Sequence, residues 1–384
     1  PEFFLEIGSE EIPSGYVQPA LEYMREELAA FFSRNEIKAE TPEILGTPRR
    51  LVISIKGVDA LQEDTVQTFH GPNVAVAYNE AGEPTKAAIG FARGKGIDVS
   101  ALTRETTAKG EVVCARVEKK GRPTPEHLNE FLPQFIGNIP FTKKMRWADK
   151  SRPFVRPLHW IAAIFDGKPL AFSFDGVACG NHSQGHRFLK PDKFPVKDLP
   201  SYLEESASHF LLVDPEARKQ KILAQVQELA KEAGGFVEED SELLNTVNYL
   251  VEFPVAIRGD FDPHFLELPK ELLVMTMKHH QKYFPVIDDK GNLLPCFITI
   301  SNIPAGAGQE IKNGNERVLR ARLEDARFFY DEDKKKNLDE FVEPLKGVVF
   351  QKKLGTLYEK MERISGLAQV IATHVCPDKI TQAL

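Results

Sequence analysis

Phe3-Phe4-Leu5-Glu6-Ile7-Gly8-Ser9-Glu10-Glu11-Ile12-Pro13 opens the chain, and its first seven residues decide how the N-terminal region folds. Phe3, Leu5 and Ile7 alternate on one face, the period of two that lays a strand on a core. Val17, Leu21, Met24, Leu28 and Phe32 then recur at helical spacing among Glu and Arg, which predicts an amphipathic helix on that sheet. Gly46-Thr47-Pro48 turns the chain into a second alternating run, Leu51, Ile53 and Ile55, with Ser54 and Lys56 opposite. Strand, helix and strand in short pieces give an α+β fold class, and 384 residues give room for several domains.

Working outward, residues from 63 onward change to short strands such as 112–117, punctuated by Gly and Pro, with helical stretches near 85–93 and 125–135. We expect a separate or inserted α+β lobe over 63–180 and a main region formed by 1–62 and 181–335. Asp214 before Pro215 marks a helix start, since the carboxylate caps free amides while proline fits the first turn, and Gly234-Gly235 ends that helix. Its apolar stripe is Ile222, Val226 and Leu229. A helix over about 269–284, a hairpin through Asp288 to Asn292 and a long helix over about 315–334 follow. After the charged run 331–336, Leu354, Leu357, Met361, Ile364, Ala368 and Ile371 fall 3 and 4 apart, which predicts the core of a helical domain over 336–384.

Composition is ordinary for a globular protein, 42% hydrophobic and 27% charged, with no apolar run of transmembrane length and no signal-peptide pattern. Cys114, Cys179, Cys296 and Cys376 lie far apart without a CxxC pair, a usage that suits a reducing compartment, so a cytoplasmic location is expected. The start at Pro1 and the close inside helical sequence read as a piece of a longer polypeptide. A net charge of -7 argues against a protein that coats nucleic acid indiscriminately, so any RNA contact must be local.

Nucleotide chemistry finds no foothold. Gly90-Phe91-Ala92-Arg93-Gly94-Lys95-Gly96 has one residue too few between its glycines for a phosphate-binding loop, and no Ser or Thr follows the lysine. His182-Ser183-Gln184-Gly185-His186 is one residue too long for the HxGH signature of one synthetase class. Cys179, His182 and His186 fall at spacings zinc ligands use, but Gly180 and Gly185 oppose a helix presenting both histidines, and hydrogen-bonded histidines in a loop or strand are the expected reading. No His-Asp dipeptide occurs to support a metal-dependent phosphohydrolase in the C-terminal helices.

Positive charge collects instead. Lys143, Lys144, Arg146, Lys150, Arg152 and Arg156, against Asp149 alone, give 143–156 a charge of +5 and leave -12 on the rest. Trp147 and Trp160 lie in or beside this run, and rings interleaved with cations suit unpaired RNA, whose bases stack while its phosphates pair with Arg and Lys. A core strand with cations snorkelling on its surface is the alternative. Arg317, Arg320 and Arg327 share one face of the long helix with Glu324, opposite Leu319, Leu323, Ala326 and Tyr330, so they bind RNA or a partner, or pair with Glu324. Lys278, His279, His280 and Lys282 thicken the end of the preceding helix, where cations also complement the helix dipole. With Arg49 and Arg50, these residues are the RNA-contact candidates.

The segments just read, together with Phe4 to Pro13, Thr47-Pro48-Arg49-Arg50-Leu51, Met145-Arg146-Trp147, Phe154-Val155-Arg156-Pro157-Leu158-His159-Trp160, Gly185-His186-Arg187-Phe188, Met277 to Pro285, Gly314 to Leu323 and Lys353 to Leu357, resemble the beta subunit of the bacterial two-subunit glycyl-tRNA synthetase in order along nearly the whole chain. The resemblance implies that ATP, magnesium and glycine act on a separate alpha subunit, that the beta subunit binds tRNA(Gly), and that two alpha and two beta chains assemble, away from any membrane. It further implies a B3/B4-like region over 1–62 and 181–335, then the start of an HD-type helical domain. The residues leave open a hydrolytic editing domain acting on mischarged tRNA, and a purely architectural module joining alpha subunits.

Overall fold

The computed structural model describes residues 1–107, 110–303 and 308–375. It divides into two compact units, 1–257 with 298–309, and 258–297 with 310–384. In the first, β1 (Phe3–Ser9) leads into helix α1 (Ser14–Arg34), and the chain returns through β2 (Glu43–Thr47) and β3 (Arg50–Ile55). Val17, Leu21, Met24, Leu28 and Phe32 are all buried on α1, so the amphipathic reading holds.

After β3 the chain leaves the sheet. β4 (Thr65–Asn73), β5 (Thr103–Thr107) and β6 (Gly110–Lys119) build a separate antiparallel sheet in the order β4-β6-β5, with Ala88 of the helix Lys86–Gly94 packed in the same small core as Val113. The two ends of this lobe lie side by side, Gln62 N–H donating to Arg122 O at 3.1 Å and Thr124 N–H to Ala60 O at 3.0 Å. Gly121 is required there, because a Cβ would stand 1.7 Å from Gln62 O.

The helix Thr124–Asn138 rejoins the first core through Leu128, Leu132, Phe135 and Ile136. Then β7 (Leu158–Phe165), β8 (Lys168–Pro169), β9 (Ser173–Phe174) and β10 (Val177–Gly180) complete a seven-stranded sheet in the order β2-β3-β1-β7-β10-β9, with β8 beside β7. The lobe expected over 63–180 is therefore narrower. Ile161-Ala162-Ala163-Ile164 is apolar on both faces, the mark of a central strand, and it sits between β1 and β10.

Both faces of the main sheet are covered. Phe3, Leu5, Ile7 and Ile53 face α1, whereas Phe4, Val52, Ala162 and Ile164 meet Phe194, Leu199, Tyr202, Leu211 and Val213. Ser54, on the face opposite Leu51, Ile53 and Ile55, is buried and donates to Glu2 at 2.6 Å, and Glu2 in turn accepts from Leu199 N–H of this second layer. The layer is built from the hairpin β11 (His182–Gln184) and β12 (Lys193–Pro195) and the helix Leu199–Ser208, while the helices Pro215–Glu232 and Ser241–Asn248 pack on one another beside β2 and α1. Asp214 caps the helix Pro215–Glu232 by accepting from Glu216 and Ala217 N–H, as its sequence dictates. Arg218, fully buried one turn later, donates to Gly46 O at 2.8 Å, Asn248 O at 2.9 Å and Leu212 O; burial brings its pKa down to about 10.

The second unit has its own core of Phe261, Phe265, Leu273, Met277, Tyr283, Phe297, Leu319 and Leu323. Strands β13 (Val255–Asp260), β14 (Phe284–Ile287) and β15 (Leu293–Ser301) pair in the order β13-β15-β14, and the long helix runs Gly308–Asp333. This unit takes in 258–297, so its limit does not fall at 335. The 3 and 4 spaced stripe does form a helix, Leu357–Val375, yet among the described residues it buries none of its side chains, and Ile364 and Ile371 are more than half exposed. Apolar spacing sets the helix, but burial needs an opposing element.

Candidate nucleic-acid interface

The cationic run is a closed surface loop. Met145 and Phe154 exchange backbone hydrogen bonds of 2.7 and 3.1 Å, and Lys150 N–H returns to Trp147 O at 3.0 Å, so residues 146–153 project as one turn-rich excursion. Trp147 is half-buried against the first core, which gives the loop an apolar root and holds one side of its ring away from any base. Two cations tie the loop to the helix Thr124–Asn138: Lys144 donates to Gly137 O at 3.0 Å and Arg152 to Pro133 O at 3.3 Å, each meeting a carbonyl in the last turns, where positive charge is favourable. Burial lowers the Lys144 pKa accordingly. Asp175 accepts from the backbone of Ser151 and Arg152, and those bonds hold its carboxyl below the usual range. Arg156 turns back to Val155 O at 2.9 Å, and Lys150 is half-buried beside Asp149. Lys143 and Arg146 are exposed and are the cations most open to a ligand.

Arg49 and Arg50, neighbours in sequence, part company. Arg50 is fully buried on the second face of the sheet, donating to Glu252 at 2.8 Å, Glu6 at 3.0 Å, Ser183 at 3.0 Å and Gly185 O at 3.3 Å. Tyr202 adds a 2.9 Å hydroxyl bond to Glu6, and Thr47 one of 2.7 Å to Glu252. The expectation that Arg50 contacts RNA is thereby corrected: strand alternation turns it inward, and two carboxylates hold it there. Burial opposes its charge, but Glu252 and Glu6 outweigh that and keep the guanidinium more firmly protonated than usual. Arg49 reaches the edge of the layer, 6% exposed, with its pKa lowered by burial and its guanidinium 5.8 Å from the centre of the Trp160 ring.

Around Arg49 four of the quoted segments meet. Ser9 N–H donates to Arg49 O at 2.9 Å, Glu10 N–H to Pro157 O at 2.9 Å and Ile12 N–H to Pro48 O at 2.6 Å. Glu10 then bridges His159 at 2.8 Å and Arg187 at 3.2 Å, while Arg187 also reaches Glu11 at 3.1 Å and lies over Phe188, which is 65% exposed. Desolvation works against the Glu10 charge, but His159 and Arg187 outweigh it and leave its pKa lowered. Nδ1 of buried His186 accepts from Phe188 and Leu189 N–H, so its proton sits on Nε2. That Nε2, Arg49 Nε and Trp160 Nε1 are buried donors without a hydrogen-bond partner among the described residues. Reading by charge density alone missed Glu10, His159, Arg187 and Phe188; their signal was membership of the same quoted segments.

Cys179, His182 and His186 do not converge. Cys179 on β10 donates weakly to Ala163 O and Gly180 O, and burial raises its thiol to about 11, far from a thiolate ligand; His182 is exposed, and His186 is buried against backbone amides. Gly90 and Gly94 lie inside the helix Lys86–Gly94, so no loop of free amides forms there to cradle phosphate.

In the second unit the remaining cations split between solvent and structure. The helix Lys270–Met275 continues as a π-helical turn, Thr276–Gln281, that presents exposed His279 and His280 with half-buried Lys278, and ends with Lys282 in the left-handed conformation at φ 60°. The Tyr283 hydroxyl donates to Asn315, tying this segment to the long helix. On that helix Arg317 and Arg320 are exposed. Arg327 pairs with Glu267 at 2.7 Å, an interaction between elements, rather than with Glu324 as spacing suggests.

Comparison with known proteins follows the same segments. The family description "Glycyl-tRNA synthetase beta subunit" matches residues 3–384. The chain is 51% identical over 381 residues, 99% of its length and 56% of the relative's, to a glycine–tRNA ligase beta subunit of Geobacter sp. (strain M21). It is 51% identical over 376 residues to that of Citrifermentans bemidjiense, and 48% over 382 to that of Trichlorobacter lovleyi, covering 98% and 100% of this chain and 55% and 56% of theirs. The chain thus spans just over half the length of the relatives it matches, and no helix among its described residues is long and apolar enough to cross a membrane. A match this continuous, running through every segment that builds the loop and the Arg49 patch, makes the chain a member of the glycyl-tRNA synthetase beta subunit family.

Proposed function

We propose that this chain supplies a tRNA-binding surface for glycyl-tRNA synthesis and does not itself activate glycine, with ATP, magnesium and glycine handled by a separate alpha subunit in an assembly of two alpha and two beta chains. The observation that carries the reading is the loop 143–156: +5 in a chain of net -7, rooted by Trp147 and closed by the Met145–Phe154 bridge, with Lys143 and Arg146 turned to solvent. Bulk repulsion between an acidic protein and RNA makes such a local patch the place where phosphates collect. A hydrolytic role in editing finds less support, since Cys179, His182 and His186 point to different surroundings.

The test is binding of tRNA(Gly) to this chain with its alpha subunit across a salt series. Lys143→Ala with Arg146→Ala is expected to weaken binding and to shallow the salt slope by about 1.4 to 1.8, at about 0.7 to 0.9 per phosphate contact. An unchanged slope and affinity in the folded double variant would rule out the loop. Glycine-dependent pyrophosphate exchange is expected to be absent for the chain alone and restored by the alpha subunit; exchange by the chain alone would overturn the division of labour.

A further inference from the structure

The inserted lobe carries three metal-binding side chains on one face of its sheet. On β4 and β6, His70 stands directly opposite Cys114; on β5, Thr103 is the partner of Cys114, so Glu105, two residues on, leans diagonally across the same face. Glu105 Oε2 lies 3.4 Å from His70 Nε2 and 3.4 Å from Cys114 Sγ, and one donor atom from each residue falls within 4.8 Å of the others. Cys114 is fully buried, while His70 and Glu105 are half exposed and leave an approach from solvent.

Those separations have a chemical meaning. For zinc bonded at about 2.0–2.1 Å to nitrogen and oxygen and about 2.3 Å to sulfur, a tetrahedral angle sets ligand–ligand edges of roughly 3.4 Å (N to O) and 3.6 Å (S to O). The edges at Glu105 already approach these lengths. Strands of one sheet hold the three Cα positions, so closing the set needs only side-chain rotation. A thiolate and a carboxylate also cancel a divalent charge, so the half-buried site would be neutral overall. Imidazole with thiolate selects zinc-type ions over magnesium or calcium.

The geometry points to a zinc-class divalent ion bound by His70, Glu105 and Cys114, with water in the fourth position. Binding transfers the Cys114 proton to solvent and replaces the thiol–carboxylate hydrogen bond by metal–sulfur and metal–oxygen bonds; no redox change is involved. The site cross-links the two outer strands of the lobe to its central one, and it does not depend on the tRNA reading.

Cobalt titration of the full chain tests this, because a Cys-ligated four-coordinate cobalt shows a thiolate charge-transfer band and intense visible bands. One equivalent is expected to bind and to be displaced by zinc. Cys114→Ser should abolish the charge-transfer band, and His70→Ala and Glu105→Gln should each weaken binding at least about tenfold. Cys179→Ser and Cys296→Ser should leave it unchanged. Circular dichroism of each variant checks that the lobe stays folded. Absence of the band in the folded parent chain, or its persistence in Cys114→Ser, would overturn the assignment.

Discussion

Arg50→Ala is expected to destabilise the first unit by about 3–5 kcal/mol, the range for breaking a buried ion pair from one side. Among the described residues the guanidinium is the one that ion-pairs with Glu6 and Glu252, both fully buried, and it also satisfies Ser183 and Gly185 O. Removing it leaves two carboxylates inside the protein, each with one oxygen already lacking a partner among the described residues. Urea denaturation followed by tryptophan fluorescence reads this unit alone, since Trp147 and Trp160 both lie in it. The loss should depend on pH. Burial opposes ionisation of Glu252, but Arg50 and Thr47 outweigh it and depress its pKa, so its contribution to the parent chain is full above the ordinary carboxylate value and is lost as pH falls through the depressed one. In the variant the part of that depression owed to Arg50 is gone, and protonation relieves the buried charge. The difference between parent and variant should therefore shrink toward acid, and a difference that grew instead would contradict the ionic account.

Gly8→Ala is expected to cost about 3 kcal/mol, at the upper end of overpacking, and to disturb the Arg49 patch. Gly8 pairs with Trp160 across β1 and β7, and a Cβ at Gly8 would stand 1.9 to 2.3 Å from the indole ring, inside any permitted contact. The ring cannot retreat cheaply: it is 93% buried, with the Arg50 guanidinium 5.0 Å and that of Arg49 5.8 Å from its centre. Gly8 also borders the β1 irregularity that sends Glu10 toward Pro157. A shifted Trp160 emission maximum in the native variant, beside a lower midpoint, is the expected signature; native-like emission and midpoint would show that the ring does not rest on the glycine.

Much of the fold could be read from local pattern. Phe3, Leu5 and Ile7, the α1 stripe and the Asp214-Pro215 start are signals that local sterics and burial enforce, and each appears where its residues dictate. Partnering is another matter. That β7 enters the main sheet, and that a second layer covers Ser54, depends on contacts between residues far apart in sequence, which periodicity does not encode. The candidate site divides the same way. Charge density picked out the loop 143–156, but Arg50 joined the RNA candidates wrongly, because a sequence shows a cation without showing the two acids folded onto it. His70, Glu105 and Cys114 were invisible for a related reason: their spacings in the chain mean nothing until the strand registers are known.

The paired ends of the 63–121 excursion have a consequence for how the protein could have been assembled and how it can be edited. Gln62 and Arg122 are already hydrogen-bonded neighbours, so a short linker between them would leave the parent sheet's loop entropy almost unchanged. The excursion is expected to behave as a cassette: a graft that could be lengthened, exchanged or removed at one stem while the sheet built on Phe3 to Ser9 stays folded.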